Sequence, residues 1–206
     1  VLRGTYEIIE KVSNFYYIDH GYFNQSKRKF ENNRTNVLDL DGYFRIVYNN
    51  FIHNGEGKFP DDRLKKLNLN FIEQNKSGDK IILSEPSETI KKIYNAYNWV
   101  NETRETIKKY SDRKMIVHNK FSNKSLEEIL KNAWCFVSLQ STAGFKAMVK
   151  GVPAYFTEDS LKNINKIEDI ENPKINYEIF KNLAYGQWTL KEIESGEAWD
   201  IISTIK

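Results

Sequence analysis

The stretch from Trp134 to Phe156 constrains the fold more than any other part of the chain. An apolar run, Trp134-Cys135-Phe136-Val137-Ser138, leads into Leu139-Gln140-Ser141-Thr142-Ala143-Gly144. A helix-like segment then closes at Gly151, before Val152-Pro153-Ala154-Tyr155-Phe156. Strand, hydroxyl- and glycine-bearing turn, helix and second strand make a βαβ unit. The first amides of such a helix have no partner within it and the positive end of its dipole lies behind them, so the turn suits a phosphate or another anion. Ser141 or Thr142 can cap the helix and can also donate to an anion, and Gly144 would let a ligand come close. A plain helix cap is the alternative reading of the same residues.

The same cadence begins at Ile81. Lys80–Ser84 reads as a short strand ending in Glu85-Pro86-Ser87, and Ser87 caps a helix expected from Glu88 to Tyr110, with Ile90, Ile93, Tyr94, Tyr97 and Val100 on one face. Lys114–His118 is a second strand. Ser125 with Glu128 three residues on is a capping-box pattern opening a helix that carries Leu126, Ile129 and Leu130 inward. Trp134–Ser138 is the third strand, Thr142–Lys150 the next helix and Pro153–Phe156 the fourth strand. This predicts an α/β fold, a Rossmann-like parallel sheet with helices on both faces. Ligands of such sheets bind at the carboxyl ends of the strands. The residues expected there are Ser84, Glu85 and Ser87; His118, Asn119 and Lys120; Ser138, Gln140, Ser141 and Thr142; and Thr157 with Glu158. Hydroxyls, a lysine and a histidine converging on one edge favour an anionic, hydroxyl-rich ligand such as a nucleotide sugar.

The expected organisation is a single α/β domain over 1–206. It comprises an irregular N-terminal part (1–79) with candidate acceptor loops, a βαβ donor-binding core (80–157) and C-terminal helices (158–206). In the first part, Asn14–Asp19 and Tyr43–Phe51 read as strands, with glycine-bearing loops between and after them. In the tail, helices are expected over Tyr177–Ala184, Leu190–Glu194 and Glu197–Ile205, with Trp188 and Trp199 packing them back on the sheet. A net charge of +3 with lysines and acids interspersed describes an ordinary solvated surface, not a nucleic-acid-binding face. The one cysteine, Cys135, allows no internal disulfide and reads as a buried thiol, which points to a cytoplasmic setting. No apolar run approaches the roughly 18 residues of a membrane-spanning helix. Three histidines, His20, His53 and His118, without cysteine or acidic partners at ligand spacing, give no metal signature.

Three segments together carry a resemblance: Tyr17-Ile18-Asp19-His20-Gly21-Tyr22-Phe23, Leu83-Ser84-Glu85-Pro86-Ser87, and Ser141-Thr142-Ala143 followed by Ala147 and Gly151-Val152-Pro153. They resemble the nucleotide-sugar-binding half of GT-B-type glycosyltransferases, nearest to the capsule-polysaccharide and glycerophosphate-transferase branches of bacteria and phages. The resemblance covers residues 80–157 and one short motif before them. It implies a metal-independent transfer of a sugar or related group from a nucleotide-activated donor, with no cofactor besides that donor. The acceptor is open: a glycan, a lipid carrier, a protein or modified nucleic acid. Ser84, Ser87, His118, Lys120, Ser138, Gln140, Ser141, Thr142 and Gly144 would hold the donor's phosphates and nucleotide. Two departures are plain. A full enzyme of this type has two Rossmann-like domains, and the acid expected to grip the donor ribose is replaced by Phe145 and Lys146.

For the base that takes the acceptor's proton, the candidate is His20 with Asp19, placed before Gly21. Arg45 would pair with a phosphate or with Asp19. The alternative to a transferase is a non-catalytic protein binding a nucleotide sugar or sugar phosphate on the same scaffold.

Overall fold

A computed structural model describes residues 11–26, 28–31, 35–38, 41–119 and 122–204. In chain order the first stretch holds β1 (Tyr16–His20), β2 (Arg28–Glu31), β3 (Thr35–Leu38), β4 (Tyr43–Tyr48) and α1 (Asp62–Leu67). The central stretch holds β5 (Lys80–Ser84), α2 (Glu88–Tyr94), α3 (Trp99–Ile107), β6 (Lys114–His118), α4 (Leu126–Leu130), β7 (Ala133–Ser138), α5 (Thr142–Val149), β8 (Ala154–Phe156) and a 3-10 turn (Ile167–Asp169). The final stretch holds α6 (Glu178–Tyr185), β9 (Gln187–Thr189), α7 (Leu190–Glu194) and α8 (Glu197–Ile202). Contacts group these into two compact units. One is the central stretch, Asn70–Asn176, and the other joins Val12–Leu69 to Tyr177–Lys206.

The central unit is the expected α/β fold: a four-stranded parallel sheet of order β6-β5-β7-β8 with helices on both faces. Side chains alternate along each strand, so each strand feeds two cores. Ile81, Leu83, Cys135 and Val137 pack with Trp99 and Ile107 of α3. Ile82 and Phe136 pack with Leu130 of α4 and Ala147 of α5 on the other face. The chain runs β5 to β6, then crosses back over β5 to lay down β7 and β8. The order therefore reverses between β5 and β7, and the loops leaving these two strands diverge to opposite faces.

Two details of this unit differ from the sequence reading or explain it. The helix expected from Glu88 to Tyr110 is broken. Asn95 adopts the left-handed conformation (φ 50°, ψ 40°) and ends α2, so Trp99 starts a new helix with its ring buried. Asparagine tolerates that conformation better than most residues, which is why the apolar periodicity on both sides did not reveal the break. Gly151 (φ 76°) closes α5. Its amide bonds to Met148 O and the next amide, Val152 N, bonds to Ala147 O, the paired bonds of a Schellman cap.

The other unit is built on an antiparallel sheet of order β1-β4-β9, with β2 and β3 forming a separate antiparallel pair. The C-terminal helices pack here and not on the parallel sheet. Trp188 of β9 is fully buried with Ala198 and Ile202 of α8, while Trp199, expected to pack inward, is 57% exposed. The register makes that difference. Trp188 sits inside a strand paired with Phe44 of β4, whereas Trp199 lies on the outward face of α8, where its ring meets that of Tyr16 edge-on. α1 was not foreseen, because Asp62–Leu67 is short and polar. Its Arg63 is the residue that seats it, donating to Ala184 O, Gln187 O and Glu192 while stacked 3.9 Å over the Trp188 ring.

Candidate functional site

The point where strand order reverses is the place in an open parallel sheet where loops part and a ligand can reach the strand ends. Here that place lies at the carboxyl ends of β5 and β7. Register aligns the last residues of three strands, His118 with Ser84 and Ser84 with Ser138. All three lie on the face covered by α4 and α5, in step with Ile116, Ile82 and Phe136 two residues earlier. Three of the residues expected from sequence thus form one cross-strand row.

Above this row, Ser87 caps α2 by accepting from Ile90 N at 3.4 Å, and Ser141 caps α5 by accepting from Ala143 N at 3.2 Å. Gly144 N bonds to Ser141 O at 3.0 Å. Ser141 is therefore both a cap and part of the turn, and Thr142, the first helical residue, is half-buried beside it. The Ser138 hydroxyl is 99% buried by residue and has no hydrogen-bond partner within the protein. The Gln140 side chain is buried too. Its amide lies beside the Tyr94 hydroxyl, yet neither amide atom makes a well-formed hydrogen bond. Burying a hydroxyl or an amide unpaired costs on the order of 1–3 kcal/mol each, so these two residues at the end of β7 carry a cost that no contact within the protein offsets.

Other expected residues fall differently. Gly144 is not open to a ligand: a methyl group built on it would meet Phe156 Cζ at 2.6 Å, and the space in front of it is filled by that ring. Its smallness serves helix–strand packing. His118 Nδ1 is 2.8 Å from the Ser122 hydroxyl, and partial burial lowers the imidazole pKa, which holds the ring neutral at pH 7. A neutral ring offers no charge to a phosphate. Lys120 lies outside the described residues. Glu85 is held by Lys91 at 2.8 Å, which Glu88 shares.

Asp19, His20 and Arg45 belong to the antiparallel unit. They do not form a His–carboxylate pair. Asp19 Oδ2 accepts from Arg45 Nη2 and from the Tyr17 hydroxyl, each at 2.9 Å, and Asp19 Oδ1 accepts from the backbone amide of His20. The His20 ring instead meets the Ser26 hydroxyl at 2.8 Å. The reason is geometric: neighbours in a strand point to opposite faces, so a sequence-adjacent Asp-His inside β1 cannot join side chain to side chain. Arg45, with its remaining donors on Phe51 O and His20 O, is the partner of Asp19 and a structural pair, not a phosphate contact.

Sequence reasoning missed an open cleft of about 940 Å³ on the other face of the parallel sheet, bounded by the α2–α3 corner, the end of β8 and the segment through the 3-10 turn. Trp99 and Tyr94 line it, and Trp99 Nε1 donates to the Thr157 hydroxyl at 2.6 Å. The hidden break at Asn95 is what concealed it. Read as one helix, the segment gave no corner at which a cleft could open. Among the described residues, no three His, Cys, Asp or Glu side chains are grouped as a metal ion would require, and no helix is long and apolar enough to cross a membrane.

The class this architecture defines is an α/β protein with a Rossmann-like parallel sheet whose carboxyl edge carries a serine row. Compared with protein-family models, with curated proteins and with solved structures, the chain matches none.

Proposed function

We propose that the central unit binds a nucleotide-activated sugar at the carboxyl ends of β5 and β7, and that the protein is a glycosyltransferase-like donor-binding protein. The observation that carries this reading is the buried, unpaired Ser138 hydroxyl in the serine row at the strand-order reversal, next to the capped start of α5. A phosphate oxygen there would accept from Ser138, Ser84 and the Thr142 hydroxyl, with the dipole of α5 behind it. In a transfer, the acceptor oxygen bonds to the anomeric carbon as the bond to the donor phosphate breaks. The acceptor's proton passes to a base, and the charge left on the nucleoside diphosphate is stabilised by the same helix-terminal groups.

Donor binding without turnover is the second reading, and Asp19 favours it. Its carboxylate is committed to Arg45, Tyr17 and the His20 amide, so the Asp–His pair expected to serve as base is not assembled.

A thermal-shift panel of UDP-, GDP-, CMP-, dTDP- and ADP-linked sugars tests the first reading. A ligand at about 100 times its Kd should stabilise the folded state by roughly 2.7 kcal/mol. The expected result is a shift with one nucleotide class that is lost in Ser138→Val and in Ser141→Ala/Thr142→Ala. No shift with any donor overturns it. Release of free nucleotide in the presence of acceptor mixtures separates transfer from binding alone.

A further inference from the structure

We propose that the cleft between the α2–α3 corner and the segment after β8 binds a short neutral saccharide. This goes beyond the donor-phosphate reading, because none of the residues that carry that reading line this cleft.

The first argument is charge. Lys162 and Lys166 face three carboxylates, Glu102, Glu168 and Asp169, and Lys162 is also 3.1 Å from Asp159. A phosphate or other dianion would meet more negative charge than positive, in a setting where a like charge disfavours binding. A nucleotide's phosphates are therefore directed elsewhere, and an uncharged polar ligand is not penalised.

The second argument is the sense of the hydrogen-bonding groups. Thr157 accepts from Trp99 Nε1, which leaves its own hydroxyl hydrogen to donate. Asn165 is anchored through its amide nitrogen to Ala154 O at 2.8 Å, which leaves its carbonyl oxygen to accept. Asn163 presents both senses on one side chain, and the carboxylates accept only. Each sugar hydroxyl donates and accepts, so a polyhydroxyl ring satisfies such a mixed set where a purely donating or purely accepting ligand does not. The third argument is shape. The half-buried ring of Tyr94 supplies apolar wall for the C–H face of a pyranose, and the buried Trp99 indole fixes the Thr157 hydroxyl at the cleft wall. The volume of about 940 Å³ lies at the upper end of the range for small-molecule sites, room for more than one ring.

Saturation-transfer NMR with cellobiose, maltose, lactose and N,N′-diacetylchitobiose tests this on the full chain. The variants are Glu102→Gln and Asn163→Ala, both at exposed positions, so their folding is expected to match wild type in a thermal melt. At least one disaccharide should show transfer, and the double variant should weaken it by about five-fold or more, the loss of roughly one hydrogen bond. Transfer should survive in Ser141→Ala/Thr142→Ala, which separates this cleft from the donor site. Absence of transfer from all four sugars overturns the proposal. So does transfer that the double variant leaves unchanged, or displacement of the bound disaccharide by inorganic pyrophosphate.

Discussion

The two units of this chain treat buried polarity in opposite ways. In the antiparallel unit the charged groups brought into the interior are matched. Arg45 meets Asp19 and two backbone carbonyls, and Arg63 meets Glu192 and two more. The atoms left over there are neutral donors, Gln187 Nε2 and Trp188 Nε1, on residues with no exposure at all. In the parallel unit the interior is almost purely apolar, and among the described residues its unpaired buried side-chain atoms belong to Ser138 and Gln140, at and just after the end of β7. A matched buried charge holds a structure together, whereas an unmatched buried hydroxyl or amide costs free energy and adds none of that cohesion.

The strongest way to break this comparison is Arg63→Ala. It strands Glu192 in a half-buried position and removes the stack on Trp188, so a loss of about 3–5 kcal/mol is expected in urea denaturation, confined to the transition of the antiparallel unit. A loss under about 1 kcal/mol would show that the ion pair does little. Gly144→Ala should cost less, about 1–3 kcal/mol, because the new methyl collides with a buried Phe156 ring. Phe156→Leu in the same chain should recover part of that loss, which separates a packing role from a ligand-contact role.

Ser138→Ala sharpens the contrast from the other side. Removing an unpaired hydroxyl should leave stability unchanged within about 1 kcal/mol, or raise it slightly, while reducing the ligand-induced shift in midpoint. Acid sensitivity probes the antiparallel unit's ion pair directly. Burial pushes the Glu192 carboxyl up, but the bonds from Arg63 and Thr189 outweigh it and hold its pKa below the ordinary value of 4.5. A group with a depressed folded pKa contributes stability above its unfolded pKa and loses it as pH falls through the folded one. The antiparallel unit should therefore weaken below pH 4.5, and Glu192→Gln should flatten that dependence. The smallest effect concerns Cys135. Burial pushes its thiol pKa far up, so the native protein should not react with a thiol reagent at pH 8 until it unfolds.

How far the chain could be read before its structure depended on the range of the interactions involved. The parallel sheet was legible because it is made of local signals: apolar runs of strand length, the Ser87, Ser125 and Ser141 caps and the closing Gly151 all act within a few residues. The polar residues at the carboxyl edge followed from strand ends alone, and register then set His118, Ser84 and Ser138 side by side. The break at Asn95 was not legible, since one residue in a left-handed conformation leaves the surrounding periodicity intact. The antiparallel unit was illegible for a different reason. That holds for its pairing and not for its elements: β1, β4 and the three C-terminal helices stand where the sequence places them, but the sheet closes only when β9 returns across more than a hundred residues to pair with β4, and Gln187-Trp188-Thr189 carries no sign of that partner.

By itself, then, the sequence determined the α/β architecture, the capped starts of its helices and the polar residues at the strand ends, because each rests on short-range backbone and capping energetics. Only the tertiary structure decided what the candidate residues touch. It turned Gly144 against Phe156, tied Asp19 to Arg45 and away from the His20 ring, and opened a cleft beside Trp99. Each outcome is a contact between residues distant in sequence or held apart by strand geometry, and such contacts are chosen by the packing of the whole fold and not by any local pattern.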